Sequence, residues 1–141
     1  MIRAQIQKTL REFPDEDYLV VIDYLELIDA TGKYDRHDHA IASITKELKQ
    51  IARLYEIPII LLSQLSRGVE QRMDKRPKMY DLRDSGSIEQ DAYLIMLFYR
   101  DEYYNKNNYD NKFIEIDNAK HRNGPVGMVK LLFEKKYGRF L

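Results

Sequence analysis

Apolar positions along the chain fall into short dense runs separated by polar stretches, and their spacing changes from run to run. Ile2, Ile6, Leu10 and Phe13 recur at helical spacing, and Pro14 with Asp15-Glu16-Asp17 closes that segment. Leu19 to Ile22 is an unbroken, mostly β-branched run without alternation, which predicts a strand covered on both faces, as in a parallel sheet between helix layers. A polar loop is expected from Asp29 to Asp38. Ile41, Ile44, Leu48 and Ile51 then mark one face of a second helix, with Lys46, Glu47, Lys49 and Gln50 on the other side. That helix ends near Tyr55-Glu56, and Pro58 leads into Ile59 to Leu62, a second fully apolar strand. Strand, helix, strand at this spacing predicts a right-handed crossover that brings the carboxyl ends of both strands to one edge.

The second half reads differently. From Arg67 to Arg83 the chain is polar and basic, and Gly68 and Pro77 predict a loop there. Tyr93 to Tyr99 predicts a third apolar strand, and Arg100 to Lys112, rich in Asn and Tyr, a surface excursion. Phe113 to Ile116 alternates like a half-buried strand; Met128 to Phe133 runs back as the second arm of a hairpin whose turn is bracketed by Gly124 and Gly127. Together these elements predict an α/β fold, a mostly parallel sheet flanked by helices with a C-terminal antiparallel hairpin.

Composition narrows the class. The 141 residues suffice for one domain, and 44% apolar with 33% charged residues fits a globular chain rather than a disordered one. Cysteine is absent, which excludes disulfides and cysteine metal sites. Lys plus Arg and Asp plus Glu each number 23, so any attraction for nucleic acid must come from a local patch. No apolar run approaches membrane-spanning length, and the amino terminus, with Arg3, Lys8 and Arg11, has no signal-peptide core. A cytoplasmic location with no membrane partner is the expectation.

Candidate chemistry gathers at the ends of the predicted strands. Asp23 ends the first strand where an α/β sheet faces its ligand crevice, the form of a Walker B acid holding the Mg²⁺ of a nucleotide; a turn-capping Asp has the same form. Gly32-Lys33 is no phosphate loop, because Leu27 and Tyr34 occupy positions that the motif reserves for Gly and Ser/Thr. His37 and His39 flank Asp38 without a third ligand, which favours solvated loop histidines over a metal site. Gln64 follows the second strand, on the same expected rim as Asp23, as a phosphate-sensing amide or a strand-end cap.

Three further segments carry charge or small residues. The loop from Arg67 to Arg83 holds Arg67, Arg72, Lys75, Arg76, Lys78 and Arg83 against Glu70, Asp74 and Asp81. An excess of three positive charges suits phosphate-backbone contact, and a solvated surface equally. In Asp81 to Ala92, Ser85 or Ser87 can cap a short helix and Gly86 permits close backbone approach. Lys120 and Arg122 are two apart near the hairpin tip; a solvated basic turn and an arginine finger reaching a nucleotide bound elsewhere both fit them.

Four motifs in order then carry a resemblance. They are Val21-Ile22-Asp23-Tyr24-Leu25; Leu62 to Arg67 with Glu70-Gln71-Arg72 and Asp74-Lys75-Arg76-Pro77; Asp81 to Ala92; and Ala119 to Gly124. With them the chain, from about Ile2 to its end, resembles the second half of the motor domain of hexameric replicative helicases of the DnaB family. The resemblance implies a partial RecA-like core over residues 1–141, from the Walker B segment onward. It implies ATP and Mg²⁺ as cofactors, single-stranded DNA and a homo-hexameric ring as partners, and primase and a helicase loader as further ones. Asp23 would hold Mg²⁺ and Gln64 would sense the γ-phosphate, while Lys120 and Arg122 would reach the neighbouring subunit's γ-phosphate, Arg122 as a catalytic group. Arg83, Asp84 and Gly86 match one DNA-holding loop, and Arg67, Arg72, Lys75 and Arg76 lie in the other. Asp84 stands where the family usually has Glu, and Tyr93 where it usually has Asp.

The family's phosphate loop and its catalytic glutamate precede the Walker B segment, and this chain begins after them. The expectation is therefore that this polypeptide alone neither binds ATP usefully nor unwinds DNA, and that part of its parallel sheet has an unpaired edge. Two readings stay open: a portion of an ATP-dependent helicase, or a non-catalytic module that binds single strands or interferes with an intact helicase ring.

Overall fold

The computed structural model describes residues 2–28, 37–82, 85–105 and 112–141. They form two compact units, residues 1–63 and 64–141. The expected loop over 29–36, with Gly32-Lys33, and part of the expected excursion, 106–111, lie outside the described residues.

The first unit is a strand–helix–strand crossover preceded by a helix. Helix α1 (Ile2–Glu12) turns Ile6 inward, and α2 (His37–Tyr55) contributes Ile51. These two meet Ile57 in a core against which Ile2, Leu10, Tyr18, Val20, Tyr55 and Ile59 pack. Gln7 donates from Nε2 to the Tyr55 hydroxyl at 2.6 Å, tying α1 to α2. Helix α2 starts at His37, within the stretch expected as loop, and ends with Glu56 in the left-handed region at φ 55°, followed by an Ile57 N–H bond to Ala52 O at 3.1 Å. That pair of features is a Schellman ending, usually built on glycine.

Strands β1 (Val20–Ile22) and β2 (Ile59–Leu61) pair in parallel, with Val20 opposite Ile59 and Ile22 opposite Leu61. The expectation of two covered faces is corrected here. Val20 and Ile59 face the helices, whereas Val21 is 57% and Ile60 46% exposed. Both helices of this unit that carry the core lie against one face, and no layer among the described residues of this unit covers the other.

The second unit corrects the expected sheet as well. Among the described residues strand β3 (Leu94–Tyr99) joins no parallel sheet; it is the first strand of a four-stranded antiparallel sheet in the order β3-β4-β5-β6. The others are β4 (Phe113–His121), β5 (Gly127–Glu134) and a short β6 (Arg139–Phe140). Helix α3 (Ser85–Asp91) precedes β3, and one turn of helix, α4 (Asp101–Tyr104), follows it. Among the described residues the parallel sheet is therefore confined to two strands of the first unit, and the larger sheet, in the second unit, is antiparallel. In β3 the buried positions are Ile95, Leu97 and Tyr99, and the alternate Leu94, Met96 and Phe98 are exposed. All six side chains are large and largely apolar, so the sequence carries no alternation that would reveal the open face.

Candidate functional site

The parallel register puts the carboxyl ends of β1 and β2 at one edge, because Ile22 and Leu61 are partners. The ladder continues past both strands: Leu62 N–H donates to Ile22 O at 3.0 Å and Leu25 N–H to Leu62 O at 2.8 Å. Asp23 leaves this edge exposed, joined to Tyr24 by a cis peptide. A single 3-10 turn, Leu25–Leu27, follows, and Leu25, 1% exposed, anchors it. Ser63 reaches the same edge and donates from Oγ to Glu26 Oε1 at 3.2 Å. Glu26 is a rim residue that the sequence reading missed, since an acid four residues past a strand has no spacing signal of its own. Gln64 follows Ser63 and opens the second unit, exposed.

Among the described residues no three His, Asp or Glu side chains gather as a metal cluster. A lone strand-end carboxylate such as Asp23 nevertheless fits Mg²⁺, which keeps most of its waters and is held by one or two carboxylates plus substrate phosphates.

In the second unit the basic loop has a fixed base. Leu65 bridges Leu82, and Ser66 N–H donates to Asp81 O at 2.7 Å, so both loop ends are pinned together. Asp81, 4% exposed, accepts the Arg72 Nη2 at 2.7 Å and the Lys78 N–H at 2.8 Å on its Oδ2. Arg72 also donates to the Tyr80 hydroxyl at 2.5 Å and to Arg76 O at 3.0 Å. Arg76 donates from Nε and Nη2 to the two oxygens of Glu115, at 2.6 and 3.2 Å, and lies 4.8 Å over the Tyr99 ring. Lys75 donates to Glu70 O at 2.7 Å and stands over Tyr104. Three of the four loop cations named as DNA ligands thus hold intrachain partners; Arg67 is exposed in the 3-10 turn Arg67–Gln71.

The electrostatics follow from these contacts. The Arg76 hydrogen bonds, helped by Lys130 2.9 Å away, outweigh burial and hold the Glu115 carboxyl below the usual carboxylate range. Burial, with the hydrogen bond its hydroxyl donates to Asp101 at 2.9 Å, pushes Tyr99 up to about 12. Glu115 and Asp81 organise the loop, yet sequence alone offers no sign that either acid is buried.

Gly86 lies in the first turn of α3, and a Cβ there would meet nothing within 4 Å. Arg83 and Asp84 lie outside the described residues. Lys120, on β4, and Arg122, just past its end, project to one side. Lys120 Nζ donates to Glu89 O and Arg122 Nη2 to Gln90 O, the latter at 2.6 Å. Arg122 also stacks 4.9 Å over Tyr93, and its N–H donates to Tyr93 O at 3.0 Å. The cations therefore sit on the last carbonyls of α3, which have no partner within the helix. The tip beyond them is tight: a Cβ on Gly124 would come to 2.5 Å from the His121 ring.

The family model for the DnaB-like helicase C terminal domain matches residues 1–141. The chain belongs to the DnaB-like helicase C-terminal domain family. It is 50% identical over 141 residues to the replicative DNA helicase DnaC of Bacillus subtilis, covering 98% of this chain and 31% of that protein. With the replicative DNA helicase DnaB of Geobacillus stearothermophilus it shares 52% identity over 124 residues, 87% of this chain and 27% of that one. The chain thus spans less than a third of the length of these relatives. The solved structure of a DnaB-like replicative helicase, described with its interactions with primase, superposes with a TM-score of 0.93 at 46% identity, over 99% of this chain and 33% of that one. The DnaB-like fold therefore extends over both units.

Proposed function

We propose that this DnaB-like chain is the Walker B and sensor half of an ATP-driven replicative DNA helicase motor, working as a homo-hexameric ring on single-stranded DNA in the cytoplasm. The observation that carries the reading is the parallel pairing of β1 with β2, which delivers Asp23 and the strand leading to Gln64 at one sheet edge. In α/β sheets that edge faces the ligand.

Bound with nucleotide, Mg²⁺ supplies charge neutralisation on the phosphates. Asp23 is exposed at the rim and would hold it, with Ser63 and Glu26 fixing the adjoining turn. Gln64 is one residue past Ser63 and would exchange its amide contact as the terminal phosphate comes and goes. Lys120 and Arg122 act on the neighbouring subunit's site, placing positive charge where charge develops in phosphoryl transfer. Arg67, Gly86, Arg83 and Asp84 contact the strand backbone, while Arg72, Lys75 and Arg76 shape the loop that carries Arg67. Primase and a loader engage the complete protein.

The apolar faces left open, Val21 with Ile60 and Leu94 with Met96 and Phe98, support the further reading that the rest of the motor domain covers them. The chain alone is inactive in this reading, since its one Gly-Lys pair, Gly32-Lys33, lacks the phosphate-loop pattern. The test is single-strand-stimulated ATP hydrolysis by a complete motor domain carrying this chain with Gln64→Ala. Stimulation by DNA should be lost; full stimulation would sink the sensor role and the reading with it.

A further inference from the structure

The second unit presents a competition that the motor reading does not require. Helix α3 has seven residues, too short to hold itself in water, and it directly follows Arg83 and Asp84. Its carbonyl end is clasped by two cations from a different element, Lys120 on Glu89 O and Arg122 on Gln90 O. Arg122 is further fixed by the Tyr93 ring and by its own backbone bond to Tyr93 O. Cations at a helix carboxyl end satisfy orphan carbonyls and oppose the helix dipole, so the clasp stabilises α3.

Ammonium and guanidinium groups cannot hold these carbonyls and a polyphosphate with the same N–H groups at once. A phosphate group is anionic, and its oxygens are stronger acceptors than a neutral carbonyl. We infer that Lys120 and Arg122 are positioning residues for α3, and that a polyphosphate reaching them competes with the α3 carbonyls and loosens the helix. The inference rests on the reading of this pair as phosphate ligands, and it adds a consequence: a phosphate at the hairpin tip is registered at the loop assigned to DNA. The device needs no movement of the sheet, since both cations leave β4 and its adjoining turn.

The chain has no cysteine, so Glu89→Cys, at an exposed position, takes a single nitroxide label on α3. In the full 141-residue chain at low salt the label should show a restricted component. Lys120→Ala or Arg122→Ala should shift the mobile-to-restricted ratio by about tenfold, as expected for losing one charge-assisted hydrogen bond. Sodium tripolyphosphate should do the same with both cations present and nothing further in the double variant. Arg122→Lys should restore part of the restriction. If a variant fails to fold, by far-ultraviolet circular dichroism, the tripolyphosphate titration of the labelled chain with both cations intact stands alone.

A label equally mobile with and without the two cations would overturn the clasp. A tripolyphosphate effect that survives in the double variant would overturn the competition. Arg122→Ala that abolishes hydrolysis in a complete motor but leaves the label unmoved would sink this inference and leave the phosphate reading standing. Hydrolysis untouched by Arg122→Ala would sink the phosphate reading itself.

Discussion

Arg76 meets Glu115 through a two-point clamp, Nε to Oε2 at 2.6 Å and Nη2 to Oε1 at 3.2 Å, across thirty-nine positions of sequence. Glu115 is only 7% exposed, and Lys130 takes up its remaining demand. This pair ties the basic loop to the middle of the antiparallel sheet. Arg76, which reads in sequence as a DNA ligand, also fastens the basic loop to the sheet.

Glu115→Gln should therefore destabilise the second unit. Arg76 is 44% exposed and can hydrate when released, so the cost is about 1–2 kcal/mol at neutral pH, below that of breaking a fully buried pair. The folded carboxyl titrates below its unfolded value of about 4.3, so its stabilisation is present above that pH and lost as pH falls through the folded value. Urea unfolding of both proteins should show the difference shrinking as pH drops from about 4.3 downward. A difference that is constant down to strong acid would contradict the clamp.

At the end of α2, Glu56 occupies the left-handed region that a Schellman ending normally gives to glycine. Removing the Cβ relieves local crowding but adds freedom to the unfolded chain. Glu56→Gly should raise stability by about 0.5 kcal/mol, the balance of those two terms. Thermal unfolding with a midpoint lowered by the substitution would contradict this account of the turn.

The first two helices and the β1–α2–β2 crossover were legible from apolar spacing, since Ile6 and Ile51, on the faces that the spacing marks, meet in the core. The hairpin was legible from Phe113–Ile116, Gly124 and Gly127. Three things were not. Val21 and Ile60 are apolar whether covered or open, so the run could not show that one face lacks a layer. The pairing of β3 with β4 is a long-range choice that local pattern does not encode. Burial of Asp81 and Glu115 depends on Arg72 and Arg76 arriving from elsewhere in the chain. For the candidate site, Asp23 and Lys120 with Arg122 stood out as charge at strand and hairpin ends, whereas Glu26 did not.

The isolated chain should have no useful affinity for ATP. Asp23 offers one carboxylate, whereas a cradle of backbone N–H groups with its lysine carries most of the binding in nucleotide motors, and Gly32-Lys33 lacks that pattern. Calorimetric titration should give no saturation in the micromolar range, with or without Mg²⁺. Micromolar binding would mean that the chain holds nucleotide by another route.

The sharpest test is a single substitution, Asp23→Asn, in a complete motor domain that carries this chain. The amide keeps size and shape and removes the charge assigned to Mg²⁺. Steady-state ATP hydrolysis should fall by about 10²–10³-fold, the loss typical for one preorganised electrostatic contact, with folding unchanged. Hydrolysis within a factor of about two of the unsubstituted motor, about 0.4 kcal/mol in barrier, would show that the rim of β1 does not serve the nucleotide.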